Sequence, residues 1–149
     1  MDKLLKSPLL VVEDNDEDFT VLMEFLGDMN IQQPIYRCKD GDDALDFLSY
    51  KGAYTNKQLI PQPSVVLLDL NLPGTDGREV LEQLKEDENF KKMPIVIFTT
   101  SSNPQDIDFC YRHGANGYLV KPINFEQMRI TVQAFVDFWL NANTLPQVV

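Results

Sequence analysis

The chain has few of the residues that mark disulfide-bonded, membrane-spanning or thiolate-metal proteins. Its 149 residues include two cysteines and one histidine. No apolar run approaches the roughly 20 residues that cross a bilayer, and residues 1–6 lack a secretory signal, so we expect a cytoplasmic protein without membrane contact. Cys38 and Cys110 are then expected to be reduced, packed thiols. His113 is expected in the last turn of a helix that Gly114 ends.

Positive charge is also scarce. Lysine and arginine number 13 against 23 aspartate and glutamate residues, and the formal net charge is −10. Because a nucleic-acid reader needs a basic face to displace counterions from phosphates, no nucleic-acid partner is predicted. The length predicts one domain over residues 1–149, with a core at about residues 7–140 and a tail at 141–149. We expect no output domain.

Apolar runs alternate with helical stretches, which is typical of a parallel sheet built from strand–helix units. The predicted strands are Leu9 to Val12, Ile35 to Cys38, Ser64 to Asp69, Ile95 to Phe98 and Tyr118 to Val120. The predicted helices are Asn15 to Leu26, Asp42 to Tyr50, Asp76 to Glu86, Pro104 to Gly114 and Phe125 to Leu140. The fold class is therefore α/β, with a doubly wound, five-stranded parallel sheet flanked by five helices. A long loop is predicted over residues 51–63.

Polar side chains follow the carboxyl ends of four of these strands, where an open parallel sheet places its ligands. They are Glu13, Asp14, Asp69, Thr99, Thr100 and Lys121. Three converging carboxylates repel one another and require either protonation or a cation. Because their ligand atoms are all oxygen, the pattern predicts a hard cation, and Mg²⁺ is the usual choice near phosphates.

The same edge carries groups suited to phosphoryl transfer. Lys121 supplies a positive charge for a phosphoryl oxygen, Thr99 a hydroxyl donor, and Asp69 a carboxylate that can form an acyl phosphate. Each residue alone is more typical of a helix cap, a turn hydroxyl or a solvated lysine. Their occurrence at four strand ends favours phosphoryl transfer to Asp69.

Four stretches of the chain resemble the receiver domain of two-component response regulators. They are Val11 to Asp14, Leu68 to Gly77, Phe98 to Thr100 and Gly117 to Pro122. The resemblance implies a flavodoxin-like fold and a histidine kinase that donates a phosphoryl group to Asp69. It also implies a signalling protein rather than an enzyme, with at most intrinsic autophosphorylation and autodephosphorylation.

The resemblance further implies a role for each residue at the edge of the sheet. The Mg²⁺ ligands would be Glu13, Asp14, Asp69 and the backbone carbonyl of Asn71. The phosphoryl-contacting or switch residues would be Thr99, Thr100, Tyr118 and Lys121. Tyr118 would turn inward when Thr99 moves, although a surface aromatic at the sheet edge is the alternative. Lys121 and Pro122 would be joined by a cis peptide bond.

Two further features resemble the single-domain regulators that are paired with cyanobacterial phytochrome kinases. They are the loop over residues 51–63 and the tail from Phe135 onward, with its ending Phe138 to Pro146. This resemblance implies a phytochrome as the partner kinase.

Two other functions remain open from the sequence. One is a receiver-like interaction module that is never phosphorylated. The other is a phosphohydrolase similar to haloacid dehalogenases, which also use a strand-end aspartate and Mg²⁺. Such an enzyme normally has a second aspartate two residues on, where this chain has Asn71, and the chain lacks room for a cap domain.

The last helix has two apolar stripes. One stripe, expected to cover the sheet, consists of Phe125, Met128, Val132, Phe135, Val136 and Trp139. The other contains Ile130, Ala134 and Phe138, and it predicts a homodimer face. The alternative is that this second stripe packs under the tail around residues 145–146.

Overall fold

The computed structural model describes residues 7–55 and 61–146. The strands are β1 Leu9–Val12, β2 Ile35–Cys38, β3 Val65–Leu68, β4 Ile95–Thr99 and β5 Gly117–Val120. The helices are α1 Asp16–Asp28, α2 Gly41–Ser49, α3 Gly77–Glu86, α4 Pro104–Arg112 and α5 Phe125–Phe135. These bounds agree with the predicted elements to within about two residues, except at the end of the last helix.

Each of the five helices begins at a residue whose side chain accepts a hydrogen bond from the first turn. These N-caps are Asn15, Asp40, Asp76, Asn103 and Asn124. Such caps satisfy backbone N–H groups that have no partner inside the helix, so they define where each helix starts. The helices consequently start close to the ends of the strands that precede them.

The five strands form one parallel sheet in the order β2-β1-β3-β4-β5. Val12 of β1 pairs with Leu68 of β3, and Leu68 pairs with Ile97 of β4. This register brings the carboxyl ends of β1, β3 and β4 to one edge of the sheet. The strand order changes direction beside β1, which is where open α/β sheets bind ligands.

Alternate residues of the strands bury themselves in two separate cores. Leu10, Val66 and Ile97 pack in one core with side chains of α2 and α3 and with Cys110 of α4. Leu9, Leu67 and further strand residues pack in the other core with α1 and α5. The sheet is therefore covered on both faces, which explains why its central strands are continuous apolar runs.

The last helix departs from the prediction. It is α-helical only to Phe135 and continues as a π-helical segment, Val136–Ala142. Val136 and Leu140 of this segment are buried against the second core. The wider turns thus extend the contact with the sheet to the end of the helix. Helical periodicity alone could not reveal this local change of pitch.

Other predicted features have clear outcomes. Cys38 and Cys110 are buried free thiols, as expected. His113 ends α4, and Gly114 follows it with a φ of +95°. The predicted loop at 51–63 begins with a 3₁₀ turn at Gly52–Tyr54, while residues 56–60 lie outside the described residues. None of the helices in the described part of the chain is long and apolar enough to cross a membrane.

Candidate functional site

Backbone hydrogen bonds extend the sheet one residue past three of its strands. The N–H of Glu13 donates to Cys38, that of Asp69 to Val12 and that of Lys121 to Thr99. The side chains of Glu13, Asp69 and Lys121 are consequently held at a rigid edge rather than on a mobile loop. The predicted convergence of these residues is observed.

Lys121 lies at the centre of this site, and its side chain is only 4% exposed. Its Nζ is 2.6 Å from Oε1 of Glu13, 2.9 Å from Oδ2 of Asp18 and 3.1 Å from Oδ2 of Asp69. An ammonium has three N–H donors, so three carboxylates satisfy it completely. The hydrogen bond and charges of these carboxylates outweigh burial and raise the pKa of Lys121.

Glu13 is a buried carboxylate in the same network. Its Oε1 accepts from Lys121, and its Oε2 accepts from the N–H of Asn15 at 3.1 Å. Burial raises its pKa from 4.5 to about 7, opposed by Lys121 and assisted by the charge of Asp69. Glu13 therefore holds a proton at a much higher pH than an exposed glutamate does.

Three carboxylates at this edge fit a divalent cation. Oxygen atoms of Glu13, Asp14 and Asp69 all lie within 4.8 Å of one another. Glu13 and Asp69 are buried, whereas Asp14 is exposed. These three carboxylates offer only oxygen atoms and carry two or three negative charges. Such a set suits a hard cation that keeps some of its water ligands. The backbone N–H of Asn71 donates to Oδ1 of Asp69 at 3.3 Å, and the proposed role of its carbonyl stays a prediction.

The segment after Asp69 is tightly folded against the start of α3. The N–H of Gly77 donates to the carbonyl of Leu70 at 2.9 Å. A Cβ at position 77 would lie 2.2 Å from the carbonyl oxygen of Asp69 and 2.6 Å from Cα of Leu70. Only glycine allows this approach, so Gly77 helps to shape the backbone that carries Asp69.

The predicted switch residues lie at different depths. Thr99 is fully buried, and its Oγ1 accepts from the N–H of Ser101 at 3.5 Å. Thr100 is exposed, and its role stays a prediction. The hydroxyl of Tyr118 donates to the carbonyl of Ser101 at 2.9 Å, and its half-buried ring packs on the core beside α3. Tyr118 is therefore attached to the loop after β4 and is not a free surface aromatic.

A polar network that sequence reasoning missed connects this loop to α3 and α4. The hydroxyl of Ser101 donates to Oδ2 of Asp106 at 2.6 Å. Asp106 also accepts from Nε of Arg78 at 2.9 Å, and Arg78 pairs with Asp76, the cap of α3. The hydrogen bonds from Arg78 and Ser101 lower the pKa of Asp106. The loop after β4 is therefore connected to both helices through Asp106 and Arg78.

Asp18 was also missed as a site residue. It belongs to the acidic first turn of α1, a pattern that usually indicates a favourable interaction with the helix dipole. Its contact with Lys121 depends on how α1 lies against β5, which is a relationship between distant parts of the chain. Local sequence carries no signal of it.

The prediction of a cis peptide bond before Pro122 is wrong. No cis peptide bond occurs among residues 7–55 and 61–146, so Lys121 and Pro122 are joined in the trans form. The two forms of a bond before proline differ by only about 0.5–1 kcal/mol, with trans preferred. The surrounding structure therefore decides between them, and the dipeptide alone does not.

The proposed dimer face is exposed. Ile130 is 46% exposed and Phe138 is 51% exposed, and Ala134 between them is also exposed. Leu145 of the tail packs instead with the core beneath α1 and α5. On the other stripe, Val132 and Phe135 are buried as predicted. Phe125, predicted to be buried as well, is 63% exposed, and the centroid of its ring lies 4.9 Å from that of the buried Phe25.

Comparison with known proteins gives a consistent picture. The response regulator receiver domain family matches residues 9–133. Response regulator Rcp1 from a Synechocystis species is 39% identical over 138 residues, which are 93% of this chain and 92% of that protein. The probable methanogenesis regulatory protein FilR2 from Methanothrix harundinacea is 37% identical over 93% of this chain and 86% of its own length.

Solved structures are similar over almost the whole chain. The manganese-bound form of Rcp1 has a TM-score of 0.89 at 38% identity and covers 95% of this chain and 100% of its own. The phosphorylated cyanobacterial phytochrome response regulator RcpA has a TM-score of 0.88 at 36% identity, with coverages of 95% and 99%. Both similarities extend beyond the sheet to the helices.

Proposed function

The chain belongs to the response regulator receiver domain family, and on that basis we propose that it accepts a phosphoryl group on Asp69 from a histidine kinase. Receiver domains interact with histidine kinases, bind a divalent metal and act in signalling rather than as ordinary enzymes. The observation that carries the proposal is the position of Lys121, 3.1 Å from Asp69 at a buried edge of the sheet.

The transfer would proceed by attack of an Asp69 oxygen on the phosphorus of a phosphohistidine. A new O–P bond forms and the P–N bond breaks, and the electron pair stays on the imidazole nitrogen, which then takes up a proton. Lys121 is placed to meet negative charge on a phosphoryl oxygen, and Thr99 can supply a hydroxyl donor when the loop after β4 moves.

Glu13, Asp14 and Asp69 would hold the metal, and we propose Mg²⁺ for this chain. When bound, Mg²⁺ supplies neutralisation of charge on the phosphoryl oxygens and on the carboxylates. The similar structure of Rcp1 is a Mn²⁺-bound form, and Mn²⁺ has a comparable preference for oxygen ligands.

Phosphorylation would act through local contacts of Thr99. Its movement would disturb the bond between Ser101 and Tyr118 and the bond between Ser101 and Asp106. These bonds join the loop after β4 to β5 and to α4, so the phosphorylated state would present a different surface to a partner.

Further proposals concern the partners. We propose a phytochrome as the cognate kinase, because the solved relative RcpA is described as a phytochrome response regulator. We also propose a homodimer through Ile130 and Ala134 on α5 and Phe138 on the π-helical segment that continues it. Their exposure on an apolar stripe supports this face, since exposed apolar patches mark interfaces.

The central test uses a small acyl-phosphate donor in place of the kinase. Wild type, Asp69→Asn and Asp137→Asn are incubated with Mg²⁺ and acetyl phosphate, and their intact masses are measured. We expect one phosphoryl adduct on wild type and on Asp137→Asn, and none on Asp69→Asn. Asp137 is the matched control because it undergoes the same chemical change on the exposed side of the last helix.

The chemical nature of the adduct is part of the same experiment. An acyl phosphate is cleaved by neutral hydroxylamine, whereas a phosphate ester is not. An adduct that resists hydroxylamine, or that survives in Asp69→Asn, would contradict the proposed acceptor. A wild type that takes up no phosphoryl group would favour the unphosphorylated interaction module. Steady release of inorganic phosphate without an accumulated adduct would favour the phosphohydrolase.

A further inference from the structure

We propose that Asp18 is a positioning residue that holds the ammonium of Lys121 in the orientation needed to receive the phosphoryl group. This inference rests on the proposed phosphorylation of Asp69. Asp18 lies in the first turn of α1, whereas Lys121 follows β5, and their side chains meet at 2.9 Å.

The three contacts of Lys121 define the direction of each N–H donor. Two donors point to Glu13 and Asp18, and the third points to Oδ2 of Asp69. Because an ammonium is tetrahedral, fixing two donors fixes the third. Glu13 and Asp18 therefore aim the remaining donor at Asp69, the carboxylate that would carry the phosphoryl group.

A closed chain of hydrogen bonds keeps Asp18 in place. Its own N–H donates to the side chain of Asn15, and the N–H of Asn15 donates to Oε2 of Glu13. Glu13 in turn accepts from Lys121, which returns to Asp18. The backbone of Asp18 is consequently fixed at the start of α1, which limits where its side chain can lie.

Asp18 differs from the other two partners of Lys121. Glu13 and Asp69 belong to the carboxylate set that fits a divalent cation, whereas Asp18 is outside that set. When a cation shares Glu13 and Asp69, their attraction for Lys121 is reduced. Asp18 is then the one of the three carboxylates that attracts the ammonium without also binding the cation. We therefore expect its effect on the orientation of Lys121 in the metal-bound protein.

The test compares Asp18→Asn with Asp18→Glu and with the control Glu17→Gln, which changes the exposed neighbour on the same helical turn. The maximal rate of loading from acetyl phosphate is measured at saturating Mg²⁺ by intact mass. We expect Asp18→Asn to be slower by about threefold to fivefold, because the pair is part-exposed and its contribution is modest. Asp18→Glu should recover most of the rate, and Glu17→Gln should match wild type.

A second measurement does not depend on phosphorylation. The ¹H–¹⁵N signal of the Lys121 ammonium, identified by its loss in Lys121→Gln, reports how strongly the carboxylates protect it from exchange with water. We expect this signal in wild type and its broadening in Asp18→Asn at unchanged melting temperature. A signal that is absent from wild type or unaffected in Asp18→Asn would overturn the inference.

The kinetic outcomes separate this inference from the proposed function. If wild type is phosphorylated and Asp18→Asn is loaded as fast as wild type or faster, the role of Asp18 is overturned and the function of Asp69 stays intact. Equal slowing in Asp18→Asn and Asp18→Glu would assign Asp18 to the structure of the helix start and would also overturn it. A wild type without an adduct would overturn both proposals together.

Discussion

The hydroxyl of Tyr118 donates to the backbone carbonyl of Ser101 at 2.9 Å, and this bond attaches β5 to the loop that follows Thr99. Ser101 also contacts Thr99 through its N–H and Asp106 through its hydroxyl. Tyr118 and α4 therefore share one anchor, two residues from the proposed switch. These hydrogen bonds attach the loop after β4 to both β5 and α4.

Replacing Tyr118 with phenylalanine should destabilise the unphosphorylated protein. The substitution removes the hydroxyl and leaves the half-buried carbonyl of Ser101 without this donor, so we expect the free energy of unfolding to fall by about 1 kcal/mol. Equilibrium unfolding in urea measures the change. Loading of Asp69 by acetyl phosphate should be no slower than in wild type, because the lost bond holds the loop after β4 and no hydrogen bond joins the phenol to Asp69.

Tyr111→Phe is the matched control for this prediction. The side chain of Tyr111 is 52% exposed on α4, so loss of its hydroxyl should leave stability nearly unchanged. Equal destabilisation in Tyr111→Phe and Tyr118→Phe would mean that the bond to Ser101 contributes nothing specific.

Gly77→Ala should damage the edge of the sheet that carries Asp69. The added Cβ would overlap the backbone of Asp69 and Leu70, which cannot move without displacing β3 or α3. We expect a loss of about 3 kcal/mol in unfolding free energy and weaker binding of Mg²⁺. Unfolding in urea and isothermal titration calorimetry measure the two effects.

Gly27→Ala is the control for the change of residue type. A Cβ at position 27 of α1 would have no heavy atom within 4 Å, apart from the helix's own nearby backbone. Alanine is the better helix former, so we expect a gain of about 0.5–1 kcal/mol. A mild effect of Gly77→Ala, comparable to that of Gly27→Ala, would contradict the close packing after Asp69.

The sequence predicts the frame of this site well because its signals are local. Val65 to Leu68 form a continuous apolar run, which is typical of a buried strand or a buried helix. The turn residues soon after Asp69 make the run too short for a helix and therefore indicate a strand. Alternation of such runs with helices then brings Asp69 and Lys121 to one edge by topology alone. The observed contact of Lys121 with Asp69 follows from this reasoning.

The contacts that refine the site depend on packing between distant elements. Asp18 and Asp106 both belong to helix starts, where an acidic residue already has a sufficient local explanation. Their partners Lys121 and Arg78 lie far away in the chain. The prediction of a cis bond before Pro122 was wrong for a related reason. The two isomers differ little in intrinsic energy, so the surrounding structure decides which one forms.

Binding of Mg²⁺ should depend on pH through Glu13. Its pKa is raised from 4.5 to about 7, mainly by burial, so the metal-free protein keeps a proton there that a bound cation would displace. Affinity for Mg²⁺ should therefore rise with pH, by roughly tenfold per unit below that pKa, and should level off above it. Lys121 and Asp69 face the same carboxyl group and set its charge environment.

The stability of the metal-free protein should change in the opposite direction. The folded state binds the proton more tightly than the unfolded chain does, so Glu13 favours folding at low pH and this contribution is lost as pH rises through about 7. Calorimetry and urea unfolding across this range measure both effects. Glu13→Gln should flatten both profiles, and profiles that keep their shape in this variant would assign them to another group.

The exposed apolar stripe of the last helix, from α5 into the π-helical segment, should control the association of the chain. If Ile130, Ala134 and Phe138 form a homodimer face, a charge within it should prevent burial of the apolar surface. We expect wild type to elute as a dimer in size-exclusion chromatography with light scattering, and Phe138→Asp and Ala134→Asp to elute as monomers. Ala134→Asp is needed because Phe138→Asp also loses the ring contact with Trp139 at 5.0 Å. Monomeric wild type, or dimers that persist in both variants at unchanged melting temperature, would contradict this face.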